Sequence, residues 1–406
     1  MAGSFPALTE NQASLASALA QLCPSTTSSI LRAQCTALQA LTPAEQSNAI
    51  AQLTPDQLAA QGSTMVELSN FQLGNISSRI ESLKRGSSGL ASNGALIQVA
   101  SLSLPLGLLA DSALAAATTT NSNAWANDRF GAFFNGRIAF GSLDTTANET
   151  GFSLKTYGAT AGMDYRVAEQ LVLGGSLGYA ATTSDFDAQR GNLKNHNLML
   201  SFYGSYYTPT SYYMDWIASY ASGDYDLKRN IVYTGLNTST QGSVDGNQYD
   251  ISVNVGDDLN RGSMLLSPYI RLEYINTQVN SFTEHGGSGW ALSYQDQSIQ
   301  SVTTSLGGRV SWALSQSWGV LTPGISADWE HQYQNNSREI TVRFAADPSV
   351  PFTINTDSPD RDYVNLGASL AATFPGSKAV FISYEAVLGQ QHVTFSSVNF
   401  GARMEF

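Results

Sequence analysis

The first residues to consider for chemistry form a string found in hydrolases. Gly174-Gly175-Ser176-Leu177-Gly178 matches the G-x-S-x-G pattern of a nucleophilic serine. That pattern works at a sharp turn between a strand and a helix. Here it lies within an alternating, strand-like run, with Ser176 on the polar face. We therefore expect no catalytic serine at this position.

Histidines and clustered aspartates are the next candidates for chemistry. Four histidines are spread along the chain: His196, His285, His331 and His392. They show no spacing typical of a metal site. Three aspartates fall in one polar segment: Asp357, Asp360 and Asp362. They lack the ligand spacing of a calcium loop. We therefore predict no catalytic residue, no metal and no cofactor.

The elements that would position polar side chains are clearest at the carboxyl end, where two sets of residues alternate to the last position. The apolar set is Val398, Phe400, Ala402, Met404 and Phe406. The other set is small, polar or charged: Ser397, Asn399, Gly401, Arg403 and Glu405. The simplest physical account is a barrel strand that is apolar toward lipid and polar toward a lumen.

The same alternation recurs after Arg129 in twelve candidate strands. We predict an all-β transmembrane barrel of twelve antiparallel strands, preceded by a small α-helical region and a pore-threading linker. Charged residues make up 13% of the chain, about half the ~25% of soluble domains. Short turns alternate with long polar loops, predicted at 223–246, 280–297 and 334–362. Outer-membrane barrels have this asymmetry.

Ten charged residues fall on the polar faces of these strands and would line the lumen. They are Arg137, Asp164, Arg166, Asp215, Asp250, Arg271, Glu273, Arg309, Asp328 and Arg403. Because isolated charges in a narrow lumen are costly, we expect a ladder of paired charges that holds the barrel shape and contacts the linker. A role in pore conductance is the alternative interpretation.

Three regions follow from these patterns. Residues 1–85 are helical, with a cap, a proline and a glutamate at Thr42-Pro43-Ala44-Glu45, a similar device starting at Thr54, and a longer helix at 63–85. Residues 86–128 are a linker or helix within the lumen, and 129–406 are the barrel. Cys23 and Cys35 could form a disulfide in an oxidising compartment. Two buried free thiols are the alternative.

Several short motifs carry a family resemblance. They are Gly158-x3-Gly162-Met163-Asp164-Tyr165-Arg166, Leu173-Gly174-Gly175-Ser176-Leu177-Gly178-Tyr179, Leu266-Ser267-Pro268-Tyr269-Ile270-Arg271-Leu272-Glu273-Tyr274, Phe282-Thr283-Glu284, Leu306-Gly307-Gly308-Arg309 and the Phe406 end. In this order they resemble the autotransporter translocator domain, the barrel of type V secretion. The resemblance implies a barrel that anchors an N-terminal passenger, with a linker helix in the pore. Residues 1–85 are then a passenger remnant or a small helical domain.

The resemblance also implies function and location. We expect a non-enzymatic anchor and translocator in the outer membrane of a Gram-negative bacterium, which exports or displays an N-terminal passenger at the cell surface. The expected partners are outer-membrane lipid, lipopolysaccharide, the barrel-assembly machinery and the chain's own N-terminal segment in the pore. Phe400, Met404 and Phe406 resemble the signal that this machinery reads. We expect a monomer.

Other functions stay open or are excluded by charge. The net charge of −12 argues against binding of nucleic acid, which needs a basic footprint. One alternative is a stand-alone outer-membrane channel. Another is a barrel-embedded hydrolase that would use His285 and nearby carboxylates. A third is an adhesin that binds through its external loops.

Overall fold

A closed antiparallel barrel of twelve strands forms most of the structure. The computed structural model describes residues 8–89, 129–375 and 378–405. The strands are β1 (Phe130–Leu143), β2 (Phe152–Ala168), β3 (Leu171–Phe186), β4 (Gly191–Tyr207), β5 (Tyr212–Tyr233), β6 (Leu236–Asp257), β7 (Met264–Val279), β8 (Gln297–Trp312), β9 (Gly319–Gln332), β10 (Asp362–Phe374), β11 (Lys378–Leu388) and β12 (Val393–Glu405). Each strand pairs with its neighbours in the chain, and β12 pairs with β1 to close the barrel. The predicted fold and strand count are confirmed.

The outward face of the barrel is apolar and the inward face is polar. Large apolar side chains that point outward include Phe134, Leu177, Phe202, Ile251, Leu272, Leu306, Ile325 and Ile382. Buried polar side chains on the inward face include Asn135, Ser176, Ser201, Ser252 and Ser305. Among the described helices, none combines the length and the apolar character that crossing a membrane requires.

The two ends of the barrel differ in the length of their connections. One end, the short-turn end, has tight turns such as 169–170 and 208–211. The other end, which we name the mouth, has the long connections 280–296 and 333–361. The predicted loop at 223–246 is wrong, because β5 and β6 continue through it and turn only at 234–235.

Three helices lie over the mouth: α1 (Glu10–Ser25), α2 (Ser29–Gln39) and α3 (Pro43–Leu53). The predicted capping device at Thr42 is confirmed, since its hydroxyl accepts from the Glu45 backbone N–H at the start of α3. The similar device predicted at Thr54 is wrong. There the Thr54 hydroxyl donates back to the Ile50 carbonyl, and a 3₁₀ turn at Asp56–Ala59 follows without a side-chain cap.

The long connections contribute a second sheet at the mouth, which we name the outer sheet. Its four strands lie in the order Asp347–Asn355, Glu339–Phe344, Leu292–Tyr294 and Phe282–Thr283. We name residues 8–59 together with the outer sheet the cap. The buried apolar core of the cap includes Leu15, Leu19, Leu22, Leu31, Leu38, Ile50, Trp290, Leu292, Phe344 and Ile354. A disulfide between Cys23 and Cys35 joins α1 to α2.

Helix α1 covers the free edge of the outer sheet. The Asn355 backbone N–H donates to Asn11 Oδ1 at 2.7 Å, and the Thr353 N–H donates to Ser14 Oγ at 3.2 Å. An uncovered edge strand would offer these N–H groups to another chain. The helices and the long connections therefore form one unit, because side chains of α1 accept hydrogen bonds from backbone N–H groups on the edge strand of the outer sheet.

Candidate functional site

The lumen of the barrel is the candidate functional site, and a helix occupies it. Helix α4 (Ala60–Gly89) continues directly from the 3₁₀ turn at the mouth and runs toward the short-turn end. It packs mainly against β1–β5 and β7. The apolar stripe predicted for this helix is buried: Met65, Leu68, Ile76, Ile80 and Leu83.

The luminal segment begins earlier in the chain than the sequence analysis predicted. The structure has α4 inside the barrel from residue 60, whereas the predicted luminal segment was 86–128. Residues 90–128 lie outside the described residues. The role of that segment therefore stays a prediction.

A buried ion pair holds α4 near the short-turn end. Arg79 Nε donates to Asp164 Oδ2 at 2.7 Å, and Arg79 Nη2 donates to Asp164 Oδ1 at 2.8 Å. Tyr203 adds a hydroxyl that donates to Asp164 Oδ2 at 2.8 Å. Both charged side chains are almost inaccessible to solvent. This bidentate geometry fixes the rotation of α4 as well as its depth.

A second ion pair lies near the same end of α4. Glu81 on the helix pairs with Arg309 of β8. The Arg309 guanidinium also lies 5.5 Å from the ring centroid of Tyr269, a cation–π distance. Because Arg79 and Glu81 bind opposite walls of the lumen, the two pairs hold the helix from both sides.

Hydrogen bonds, rather than ion pairs, hold the middle of α4. Ser69 Oγ donates to Asp250 Oδ1 at 2.8 Å, and Asn75 Nδ2 donates to Thr160 Oγ1 at 2.9 Å. From β1, Asn135 Nδ2 donates to the Asn75 carbonyl at 2.7 Å. A polar face of α4 thus meets polar walls, as a segment inside a lumen requires.

Four of the ten predicted ladder residues contact α4: Arg137, Asp164, Asp250 and Arg309. Others bind within the wall: Asp215 to Asn254 at 3.1 Å, Arg271 to Glu330 at 3.0 Å and to Glu273 at 4.0 Å, and Asp328 to the Tyr269 hydroxyl. The Arg166 guanidinium lies at a turn, near the Glu169 carbonyl. Arg403 lines the lumen.

The predicted assembly signal lies on the outward face of β12. Phe400 is exposed there, and its ring lies over Gly136 of β1, where a Cβ would come within 2.6 Å of it. Met404 pairs in register with Ala132 of β1 and Lys378 of β11. Phe406 lies outside the described residues.

A buried junction connects the cap to the mouth. Arg229 of β5 binds Glu284 through two hydrogen bonds of 2.6 and 2.8 Å, with both side chains inaccessible. Glu284 also accepts from the Tyr294 hydroxyl at 2.8 Å and the Leu292 N–H at 3.1 Å. Arg229 reaches the Leu53 carbonyl at the end of α3. This pair ties the barrel wall, the outer sheet and the helices together.

Two carboxyl groups at this junction are buried without a direct ion pair among the described residues. Burial raises the pKa of Asp56 to about 6 and the pKa of Glu149 to about 7. Asp56 accepts from Asn11 Nδ2 at 3.1 Å, and Glu149 accepts from the Asp357 N–H at 2.9 Å. Burial also lowers the pKa of Arg190, to about 10. The Arg190 guanidinium donates to the Ala51 and Thr54 carbonyls at the end of α3.

Sequence reasoning missed the residues on which the luminal helix and the cap most depend. Arg79 lies in the apolar stripe of α4 between Ile76 and Ile80. A charge at that position signals a buried partner. Glu284 appeared only as part of the Phe282-Thr283-Glu284 motif, and Arg229 gave no comparable signal, because both segments look like polar loops.

The candidates for catalysis lie apart from one another. Ser176 is buried in the middle of β3 rather than at a strand-to-helix turn. His285 is exposed in the outer connections, and His331 lies at the mouth with its Nδ1 2.8 Å from Asp362. Within the ranges that the structure describes, no group of histidine, cysteine or carboxylate side chains could hold a metal ion.

Comparison with known proteins identifies the barrel. The model named Autotransporter beta-domain matches residues 132–385, more than half of the chain. The chain belongs to the autotransporter family. Like the barrels of that family, this autotransporter is an outer-membrane anchor and translocator for a passenger.

Individual autotransporters agree in fold. The translocator domain of the autotransporter NalP from Neisseria meningitidis is 16% identical, with a TM-score of 0.57 over 73% of this chain and 98% of that one. The β domain of the Bordetella autotransporter BrkA is 17% identical, with a TM-score of 0.50 over 68% of this chain and 100% of that one. At such identities these likenesses concern the fold alone.

Several curated relatives are named as enzymes. The esterase EstA of Pseudomonas aeruginosa is 25% identical over 235 residues, which is 56% of this chain and 35% of EstA. The chain thus spans only about a third of the length of that relative. The name of EstA describes that relative and assigns no activity to this chain.

Proposed function

We propose that this autotransporter displays its cap at the cell surface and retains α4 as a permanent plug. The mouth, with its long connections, would face the cell exterior, as in other outer-membrane barrels. The observation that carries this proposal is the course of the chain. The cap lies at the mouth, and α4 leads from it through the lumen to the Arg79–Asp164 pair.

The mechanism is one of topology rather than catalysis. In a closed barrel every strand is paired, so no unpaired backbone faces lipid. The lumen offers polar partners to a segment that threads it, such as Thr160 and Asp250. Once Arg79 reaches Asp164, withdrawal of α4 would leave a buried carboxylate without its partner. Export would therefore end with α4 held in the lumen by the pair between Arg79 and Asp164.

The assignment of regions and partners belongs to the same proposal. Residues 8–59 act as a displayed helical domain, and 129–406 act as the anchor. Phe400, Met404 and Phe406 engage the barrel-assembly machinery, while the apolar face meets lipid and lipopolysaccharide. We expect no catalytic activity from the residues that the structure describes, because Ser176, His285 and His331 lie apart. The luminal charges act structurally.

The test is the accessibility of the cap in intact cells. An epitope inserted between Gln39 and Ala40, at the exposed end of α2, should bind antibody on intact bacteria. The same epitope in the turn at 208–211 is the matched control and should bind only after permeabilisation. Antibody binding to the turn but not to the cap of intact cells would reverse the orientation and reject the proposal.

A further inference from the structure

Helix α4 contains two glycines, Gly62 and Gly74, which we name the helix notches. A glycine in the interior makes a helix about fivefold less stable than an alanine does. A glycine at such a position therefore calls for a packing reason. At both helix notches that reason is a guanidinium group that reaches the helix from the barrel.

At Gly74 the guanidinium belongs to Arg137 of β1. A Cβ on residue 74 would lie less than 3.0 Å from it. Since glycine has no Cβ, Arg137 Nη1 reaches the helix backbone and donates to the Asn70 and Phe71 carbonyls at 3.4 and 3.3 Å. Arg137 Nη2 donates to Glu385 Oε2 at 2.8 Å. The guanidinium cannot move aside for a larger residue without losing these bonds.

At Gly62 the guanidinium belongs to Arg338, which directly precedes the outer-sheet strand Glu339–Phe344. A Cβ on residue 62 would again lie less than 3.0 Å from it. Arg338 Nη2 donates to the Ala59 carbonyl at 3.5 Å, and Nη1 donates to Gln297 Oε1 at 3.3 Å. The same device thus recurs at the mouth end of α4 and in its middle.

The barrel wall has glycines that accept side chains of α4 in the same way. A Cβ on each of them would lie less than 3.0 Å from the helix side chain: Gly131 faces Arg79, Gly158 faces Phe71 and Gly178 faces Gln72. Because a close-packed interior does not deform freely around a displaced neighbour, these contacts fit only one position of the helix.

A slip of α4 by one helical turn would lose the fit. One turn on either side of Gly74 lie Asn70 and Ser78, and each would bring a Cβ against Arg137. The segment that precedes α4, residues 8–59, contains no glycine. Nothing in that segment could give the wall arginines the same fit while it moved through the lumen.

We propose that Gly62 and Gly74 are the positions at which Arg338 and Arg137 lock α4 in its final register, so that export ends there. The inference rests on the proposed function, in which residues 8–59 leave the cell and α4 remains in the lumen. The helix notches are positioning residues, which act through the two arginines.

The test is hydrogen exchange of α4 in the purified full chain, followed by mass spectrometry. We expect Gly74→Ala to speed exchange of the amides in residues 60–85 about tenfold or more, because it displaces Arg137. In a helix without this contact, alanine should slow exchange about fivefold. Ser77→Ala, which trims a half-buried side chain of the same helix, is the matched control and should not speed exchange. Slower or unchanged exchange in Gly74→Ala would overturn the proposal.

A second pair of variants shows whether Arg137 is the obstacle. In an Arg137→Ala chain the guanidinium is gone, so adding Gly74→Ala should slow exchange about fivefold. An equal acceleration by Gly74→Ala with and without Arg137 would reject the lock. If Gly74→Ala alone does not fold, as shown by heat-dependent gel mobility, a folded double variant supports the lock and an unfolded one rejects it.

These results do not depend on which end of the barrel faces the cell exterior, because the protein is purified. The epitope test decides that orientation separately. A failed lock would therefore leave the display of the cap standing, and a reversed orientation would leave the exchange results to be judged by themselves.

Discussion

Strands β5 and β6 pass through two regions of the molecule with opposite patterns. In the lower region, within the membrane, Met214 and Ile251 point outward while their neighbours Asp215 and Ser252 point inward. In the upper region, beneath the cap, the inward positions become apolar and buried, as at Leu227 and Ile231. The outward positions there become polar and exposed, as at Asp224 and Asp226.

This difference shows that the medium or the packing partner that covers each face, rather than the strand itself, decides whether apolar or polar side chains occupy that face. Alternation with a period of two is the same in both regions. In the lower region, lipid covers the outward face, and the inward face meets polar groups of α4 and the space of the lumen. Above, solvent wets the outward face, and the helices and outer sheet make the inside dry. One pair of strands therefore belongs to a membrane protein at one end and to a soluble core at the other.

The largest effect should come from breaking an ion pair in the dry upper region. Glu284→Ala leaves Arg229 buried without its partner, which costs about 3–5 kcal/mol. Glu330→Ala in the lower region leaves Arg271 with Glu273 at 4.0 Å and with access to the lumen, so we expect about 1 kcal/mol or less.

Urea titrations monitored by proteolysis of the cap, and by heat-dependent gel mobility for the barrel, would measure both variants. Equal losses from Glu284→Ala and Glu330→Ala would mean that the lumen is as dry as the cap, and the contrast between the regions would fail.

A charge placed on the outward face should distinguish the regions along a single strand. Ile251→Arg exposes a guanidinium to lipid and should cost about 2–4 kcal/mol. Ser243→Arg lies on the same face of β6, eight residues nearer the cap, and should cost about 0–1 kcal/mol. Refolding yields into lipid vesicles at increasing urea would show the difference. Similar losses at both positions would place the membrane boundary above residue 243.

The disulfide should stabilise the cap alone. Replacing Cys23 and Cys35 together by serine opens a short loop between α1 and α2, which should cost about 3 kcal/mol. The cap should then become sensitive to protease at lower urea concentrations, while the heat-dependent mobility of the barrel stays unchanged. A change in barrel mobility would show that the two regions do not unfold separately.

The contrast also explains what the sequence could predict. Alternation alone revealed all twelve barrel strands, because lipid imposes one pattern over the whole outward face. The upper parts of β5 and β6 were missed because the apolar set, such as Tyr225 and Leu227, there occupies the inward positions, and the outward set is polar like a loop. The luminal helix was predicted as a helix, but its place was not. Its Arg79 pairs with Asp164, a long-range contact that periodicity cannot report.

The smallest effect concerns pH and applies only where the cap meets the mouth. The folded pKa values of Asp56 and Glu149, about 6 and about 7, lie above the values of about 4 expected in an unfolded chain. The folded state thus holds more protons between pH 4 and 7. Its stability is greatest below that window and falls as the pH rises through it.

Raising the pH from 5 to 8 should therefore weaken the cap by about 1–2 kcal/mol for each of the two carboxyl groups. Asp56→Asn combined with Glu149→Gln imitates the protonated forms and should remove the dependence. Proteolysis of the cap at fixed urea between pH 5 and 8 is the measurement. A cap that becomes more stable as the pH rises would show that these carboxylates are held as ion pairs, and that water reaches the junction more freely than it reaches the core of the cap.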